Sequence, residues 1–282
     1  MNMREWHGKL TLAFSYPNSR GTVLSERRHE GPLLVQKALY PEGPEICHVT
    51  ILHPPSGIAG GDLLSIDITV QSGAHALLNT PGATRWYKAN GKSATQNTNI
   101  VVKAGACLDW LPQENIFFEQ ADAHTSTQVH LHTGARAIGW EIVQLGSIEK
   151  SSHWDEGRIL LNTVLTLDEC PLWQEIGELH ADSAVRHNVN GLAGFPVLAT
   201  LWAFGPAIGR DEADRLSMDL PWQEELRAGL THMPLSDGQG LSLLRVLGTH
   251  AQDVKGLLIA LWMQMRPLLL GVQGRHLRLW NT

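Results

Sequence analysis

Chemistry in this chain has to come from a few dense clusters of polar residues. The first runs His53-Pro54-Pro55-Ser56-Gly57-Ile58-Ala59-Gly60-Gly61-Asp62, a rigid turn followed by a glycine-rich loop that ends in a carboxylate. The second, Pro81-Gly82-Ala83-Thr84-Arg85-Trp86-Tyr87, combines a hydroxyl, a cation and two aromatic rings. Polar loops on a rigid scaffold are where binding and catalysis concentrate. Fourteen histidines invite a metal reading. His130 and His132 stand two apart, on one face of a strand, where they could chelate an ion; the same pair fits the solvent face of an alternating strand equally well. Cys47 and His48 are adjacent and point to opposite faces, so they do not share an ion without distortion. Cys47, Cys107 and Cys170 lie about 60 residues apart with no Cys-x-x-Cys, which excludes a local zinc knuckle and a disulfide framework and fits a reducing compartment.

Other motifs fail on spacing. Gly91-Lys92-Ser93 imitates the end of a phosphate-binding loop, but that pattern needs glycine at position 86, where Trp86 stands. Asn90-Gly91 fits a type I′ hairpin turn between strands better. Gly57 to Gly61 lacks the G-x-G-x-x-G spacing and is followed by no helical periodicity. Neither a G-x-S-x-G elbow nor an H-E-x-x-H pair occurs. Paired carboxylates on a β scaffold would suit a carbohydrate-active enzyme, an alternative that rests on fold analogy alone.

The scaffold that must position these clusters is mainly β. Leu64, Ile66, Ile68 and Val70 alternate with polar residues, as do Thr127, Val129 and Leu131. A faint repeat lies beneath: an alternating strand ends in Gly-Ala and a second apolar strand follows, at Gly73-Ala74, Gly105-Ala106 and Gly134-Ala135. The steps of 32 and 29 residues suit stacked β layers. The expectation is therefore one domain over 1–282, built of solenoid-like helical β layers over 1–185 and an α+β part with two helices over 195–282. In the latter, strands are expected at Pro196 to Phe204, Leu241 to Leu247 and His276 to Trp280, and helices at Asp211 to Leu230 and Ala251 to Arg266. With a short strand near 231–235, that order makes a split β-α-β arrangement.

The second helix is apolar nearly all round. Val254, Leu258, Trp262 and Met265 lie on its main stripe, and Ile259, Ala260 and Met263 make the other side apolar too. Such a helix is either internal or covered by a partner protein. Trp262→Asp separates the two cases, since it would release a partner in one and unfold the chain in the other. The 282 residues hold 43% apolar and 18% charged side chains, which marks an ordered globular chain. A net charge of −6 argues against nucleic acid as a partner. The longest apolar run, Leu257 to Met263, is far short of the ~18 residues of a membrane span. Trp6-His7-Gly8-Lys9 interrupts any export signal, so a cytoplasmic location is expected.

Four strings in order, HPPSGIAGGD, LLNTPGATRWYK, LDWLPQENIFFEQA and GWEIVQLG, resemble the UreD (UreH) family of urease accessory proteins. GPLLVQKALYPEG upstream and PLWQE at 171–175 match as well, so the resemblance runs from Gly31 to Glu175 and more loosely to Trp280. It implies a β-layered fold with two helices and a non-catalytic role in maturing the dinuclear nickel centre of apo-urease. It further implies a complex with the accessory protein UreF and the GTPase UreG, and no tightly bound cofactor, only nickel(II) in transit through a polar channel.

Carried over position by position, the polar residues in matching motifs are His53, Asp62, Thr84, Glu114, Glu141 and Glu175. Oxygen donors suit transit, because Ni²⁺ stands near the top of the affinity order and a thiolate- or imidazole-rich pocket would hold it too firmly. Sites on a path must attract an ion and still release it. Each carboxylate equally fits a hydrogen-bonded loop anchor. The chain departs from the family pattern at Ser56, usually glycine, and at Ser147 and Ile176, both usually arginine. The last two put partner contacts in doubt rather than membership.

Overall fold

Period-two alternation becomes two facing β-sheets in the computed structural model, which describes residues 6–17, 20–55, 57–147, 153–235 and 237–281. In chain order the strands are β1 (His7–Ser15), β2 (Val23–Glu30), β3 (Leu34–Val35), β4 (Ile46–Leu52), β5 (Leu63–Val70), β6 (His75–Asn79), β7 (Thr84–Trp86), β8 (Ala94–Val102), β9 (Cys107–Leu111), β10 (Asn115–Phe117), β11 (Ala121–Leu131), β12 (Arg136–Leu145), β13 (Gly157–Leu167), β14 (Cys170–His180) and β15 (Val197–Pro206). Helix α1 (Arg210–Met218), β16 (Leu226–Pro234), β17 (Gln239–Gly248) and helix α2 (Ala251–Leu270) follow.

Sheet one has the order β14-β13-β11-β8-β5-β1-β2, and sheet two runs β16-β17-β15-β12-β9-β6-β4-β3. β1, β5, β8, β11 and β13 are mutually parallel, as are β4, β6, β9 and β12. Each layer lays one strand in each sheet, β5 then β6, β8 then β9, β11 then β12, which is the expected solenoid-like stack. The Gly-Ala repeat is its corner. Gly73, Gly105 and Gly134 have φ of 79°, 71° and 82°, a left-handed turn that favours glycine. Ala74, Ala106 and Ala135 behind them are buried. Backbone bonds tie the corners together, Cys107 N–H to the Ala74 carbonyl at 2.9 Å and Arg136 N–H to Ala106 at 3.0 Å.

Two apolar layers result. One fills the space between the sheets, where Leu64, Ile66, Ile68 and Val70 lie as their alternation requires. The other lies between the outer face of sheet two and α2. Val254, Leu258, Trp262 and Met265 have 0% exposure there. These four are therefore core residues of this chain and not a partner surface, because sheet two supplies the apolar face that their stripe needs.

The C-terminal part differs from expectation in detail. The first helix stops at Met218, and the segment expected to continue it to Leu230 forms β16 after Pro221. β15 and β16 both pair antiparallel with β17 between them, so β15-α1-β16 is a split unit. The expected strand at 276–280 is absent. Arg278–Asn281 is a short 3₁₀ turn instead, held over the helix layer by Trp280 against Trp262 and Trp140. α2 runs past Pro267 to Leu270 and ends at Gly271, φ 73°. Asn90 and Gly91 take the positive φ of a tight turn, 51° and 83°, yet β7 and β8 beside them do not pair, so no hairpin forms. Ser56 lies outside the described residues.

A buried ionic network fastens α2 to the stack. Arg266, 0% exposed, donates to both oxygens of Glu42 at 2.7 and 3.0 Å, to Asp109 at 3.1 Å and to the Gln273 carbonyl at 2.9 Å. Trp262 Nε1 donates to the other Asp109 oxygen at 2.7 Å, and Arg266 lies 4.8 Å over the Trp262 ring. His75 bonds Asp109 and His48 bonds Glu42, each at 2.8 Å. Burial pushes the Glu42 carboxyl up, but hydrogen bonds from His48 and Arg266 outweigh it and bring it down to about 2. Burial opposes ionisation of Asp109 too, and the Arg266 charge with bonds from His75 and Trp262 holds it below the ordinary range.

Both carboxyls are depressed, so their stabilisation is present above the unfolded value, 4.5 for Glu42, and is lost as pH falls toward 2. Arg266→Met removes the cation from two buried carboxylates, leaving only His48, His75 and Trp262 on them, and should cost about 3–5 kcal/mol at pH 7. The gap from the parent should narrow between pH 7 and pH 3, as carboxyls without the guanidinium protonate at higher pH than those of the parent, which denaturant midpoints at those two pH values would measure. Trp262→Asp should unfold the chain, seen as loss of the β signal in circular dichroism.

Candidate functional site

The connections from sheet two back to sheet one ahead of β5, β8 and β11 fall at one edge of the sandwich and stack on each other. Ile58 N–H bonds the Arg85 carbonyl at 2.7 Å, Tyr87 N–H bonds Ile58 at 2.8 Å, and Thr84 N–H bonds Glu114 at 2.9 Å. Trp86 stacks on Phe117 and Tyr87 on Phe118, each with centroids 5.4 Å apart, and Trp86 Nε1 donates to Asn115 at 3.0 Å. Gly60 is required by close packing, since a Cβ there would sit 1.7 Å from the Ala89 carbonyl oxygen. The aromatic and glycine positions of the two polar loops thus build a ladder, and their polar residues face cavities beside it.

Three cavities follow one another. A hollow of about 390 Å³ at the loop edge is lined by Asp62, His53, Trp6 and Tyr87. A second, of about 280 Å³ between the sheets, is lined by His53, Thr84, Asn115 and Glu141, with many hydroxyls. A third, of about 270 Å³, is lined by Glu141, Glu175, Glu178 and Thr200. His53 borders the first two; Glu141 and Thr163 border the last two. Five of the six expected residues therefore lie along one series. Glu114 does not. It turns toward α2, where Lys255 Nζ is 3.8 Å away, and it lines none of the three.

Strand register explains the polarity between the sheets. Thr98, Thr127, Thr163 and Glu175 are direct neighbours across β8, β11, β13 and β14, a polar row on the inner face of sheet one. Facing it, Glu141, Thr200 and Arg245 are neighbours across β12, β15 and β17. Of the threonines in the row, the alternation in the sequence singles out only Thr127, with Val129 and Leu131. The other two carry the same signal, since Thr98 shares its face with Ile100 and Val102, and Thr163 shares one with Leu165.

Each carboxylate has its own setting. Asp62 accepts from the Ala59 N–H at 2.9 Å and the Trp6 N–H at 3.0 Å, which makes it an anchor of its loop. Glu141 accepts from Thr163 at 3.2 Å and Thr125 at 3.4 Å. Burial, with the Glu175 charge adding to it, raises its carboxyl to about 7 against those two hydrogen bonds. Glu175 accepts from Thr200 at 3.4 Å and is ion-paired with Arg245. Burial lowers His53 below the ordinary histidine value, and the Asp62 charge opposes the shift only in part. His53 thus presents a neutral imidazole near pH 7.

Among the described residues no group of three or more His, Cys, Asp or Glu could hold a metal ion together. His130 and His132 do not converge on one point: the first bonds Thr166 at 3.0 Å, the second lies 3.1 Å from Lys103 Nζ and 3.6 Å from Asp168. What the cavities offer is a sequence of single weak donors, hydroxyls with an occasional carboxylate or imidazole. Such an arrangement can accept a hydrated cation and pass it on, because no point along it completes a coordination sphere.

Comparison with known proteins agrees with the motif strings. A family model described as UreD urease accessory protein matches residues 7–281. A urease accessory protein UreD of Bordetella pertussis is 49% identical over 278 residues, spanning 99% of this chain and 98% of the relative. The protein of the same name in Cupriavidus necator is 49% identical over 277 residues, 98% of this chain and 95% of the relative. That of Delftia acidovorans is 46% identical over 292 aligned positions, again 98% and 95%.

A raised carboxyl is one that the fold keeps protonated. Glu141 therefore costs stability as pH rises from 4.5 to about 7, and the cost levels off above that. Glu141→Gln keeps the shape and removes the titration. It should match the parent at pH 5 and equal or exceed its stability at pH 8, as urea midpoints across that range would show.

Proposed function

This chain belongs to the UreD family of urease accessory proteins, and from that premise we propose that it passes nickel(II) toward apo-urease without catalysing a reaction of its own. The observation that carries the reading is the polar row of Thr98, Thr127, Thr163 and Glu175, faced by Glu141 and Thr200, which borders two successive cavities within a largely apolar sandwich. A sandwich core gains nothing from hydroxyls in that position, since each buried polar group costs desolvation that its hydrogen bonds only offset. Nickel is cargo here. Its donors are His53, Thr84, Glu141 and Glu175, with Asp62 holding the loop at the entrance and Glu114 left outside the path.

The partners of this reading are UreF and UreG, which the family resemblance implies, together with apo-urease in the cytoplasm. The interface residues for them are sought on exposed side chains, because Val254, Leu258, Trp262 and Met265 of α2 are buried against sheet two. No helix among the described residues is long and apolar enough to cross a membrane. Family membership lends no support to the paired-carboxylate enzyme, and the purified chain is expected to turn over neither GTP nor a glycan.

Deletion of the gene should leave urease protein present but poor in nickel and activity. Complementation with Glu141→Gln or Glu175→Gln should restore urease-bound nickel only in part, and the double variant less still, with pull-down of the partner proteins unchanged. Full nickel loading by the double variant, its complex intact, would remove these residues from the mechanism.

A further inference from the structure

The polar rows on the two sheets end against each other. On sheet one the row finishes at Glu175 of edge strand β14; on sheet two Glu141, Thr200 and Arg245 stand side by side. Arg245 Nη1 is ion-paired with Glu175 Oε1, and Thr200 donates to the other oxygen of the same carboxylate at 3.4 Å. The guanidinium thus sits where a cation emerging along the row would meet its last carboxylate. Every other carboxylate on that cavity is also occupied. Glu178 accepts from Arg158 at 2.7 Å and bonds His180 at 3.0 Å, and Glu141 is held by two threonine hydroxyls.

We propose that Arg245 is a built-in stand-in for the travelling cation, which reaches Glu175 only by displacing the guanidinium. This rests on the transit reading above and adds its regulation. Two further observations favour exchange over a permanent clamp. Arg245 is half exposed, so it can leave its partner for water without a buried charge being stranded. It also lies 5.7 Å over the ring of Trp173, two residues from Glu175, and that aromatic face gives a released guanidinium a second resting place. The consequence is a carboxylate that does not capture stray divalent ions while the chain is idle.

The test titrates NiCl₂ into the ¹⁵N-labelled full chain and reads paramagnetic broadening at the backbone amides of Gly177 and Thr200. Arg245→Gln should lower the nickel concentration at the midpoint by about two- to fivefold, the factor released when a partly exposed ion pair no longer competes. Arg245→Lys keeps the charge and should stay near the parent. Arg215→Gln, which removes the exposed pair with Glu212 on α1, should shift nothing. Adding Glu175→Gln to Arg245→Gln should abolish the broadening. Equal midpoints for Arg245→Gln and the parent overturn the proposal, as does an equal shift in Arg215→Gln. Should the neutral variant not fold, the parent chain decides: its Arg245 Nε–H resonance must move when diamagnetic Zn²⁺ fills the site, and a fixed resonance at saturation overturns the exchange. Urease nickel loading separates the two levels. Loading lost in Glu141→Gln and Glu175→Gln, with unchanged midpoints in Arg245→Gln, removes Arg245 alone. Full loading in both carboxylate variants removes the transit reading and this proposal with it.

Discussion

A guanidinium with no access to water fastens the long C-terminal helix of this protein to its second sheet. Arg266 reaches from α2 through the outer face of sheet two to Asp109 on β9 and to Glu42 ahead of β4. Burying such a charge costs several kcal/mol, which only close, hydrogen-bonded carboxylates recover. Two carboxylates, a backbone carbonyl and the face of Trp262 do so here, and His48 and His75 bond the same two carboxylates. Apolar contact alone would let α2 slide over a sheet whose residues repeat from layer to layer. Directional bonds to β9 and to the loop ahead of β4 fix where along the stack it lies, and so fix the sheet-two face that carries Glu141 on its opposite side.

The interior between the sheets carries the opposite design. There the polar groups are mostly neutral hydroxyls spread over four strands, and the few carboxylates accept from hydroxyls or from cations at the rim. Parallel stacking makes this arrangement economical. One residue position per layer, kept in register by glycine corners of nearly equal geometry, produces a continuous row without any strand having to bend. The aromatic ladder of Trp86, Phe117, Tyr87 and Phe118 keeps the loop edge in the same register, so the hollow beside Asp62 stays aligned with the cavity beyond His53. Fold and proposed transit are one property, since a stack that conserves register also conserves a row of donors.

Sequence alone determined the β character, the layered repeat with its Gly-Ala corners, the two helices and, through long motif strings, the family. These are local or additive signals: period two, a glycine at positive φ, an apolar stripe at helical spacing. It also named residues that come to lie along one series of cavities, although Glu114 turned out to face Lys255. Only the tertiary structure decided the remainder. Whether Val254 to Met265 met a partner or the chain's own sheet depended on an outer face assembled from β12, β15 and β17, the first of them more than a hundred residues earlier. Asp109 read as one polar residue in an apolar strand until Arg266, 157 positions on, was seen beside it. The threonine row is invisible along the chain because its members are 29 and 36 residues apart, and only parallel register makes them neighbours. Periodicity fixes which face a side chain takes, but which other side chain meets it there is set by pairing across strands, a quantity that no window of sequence contains.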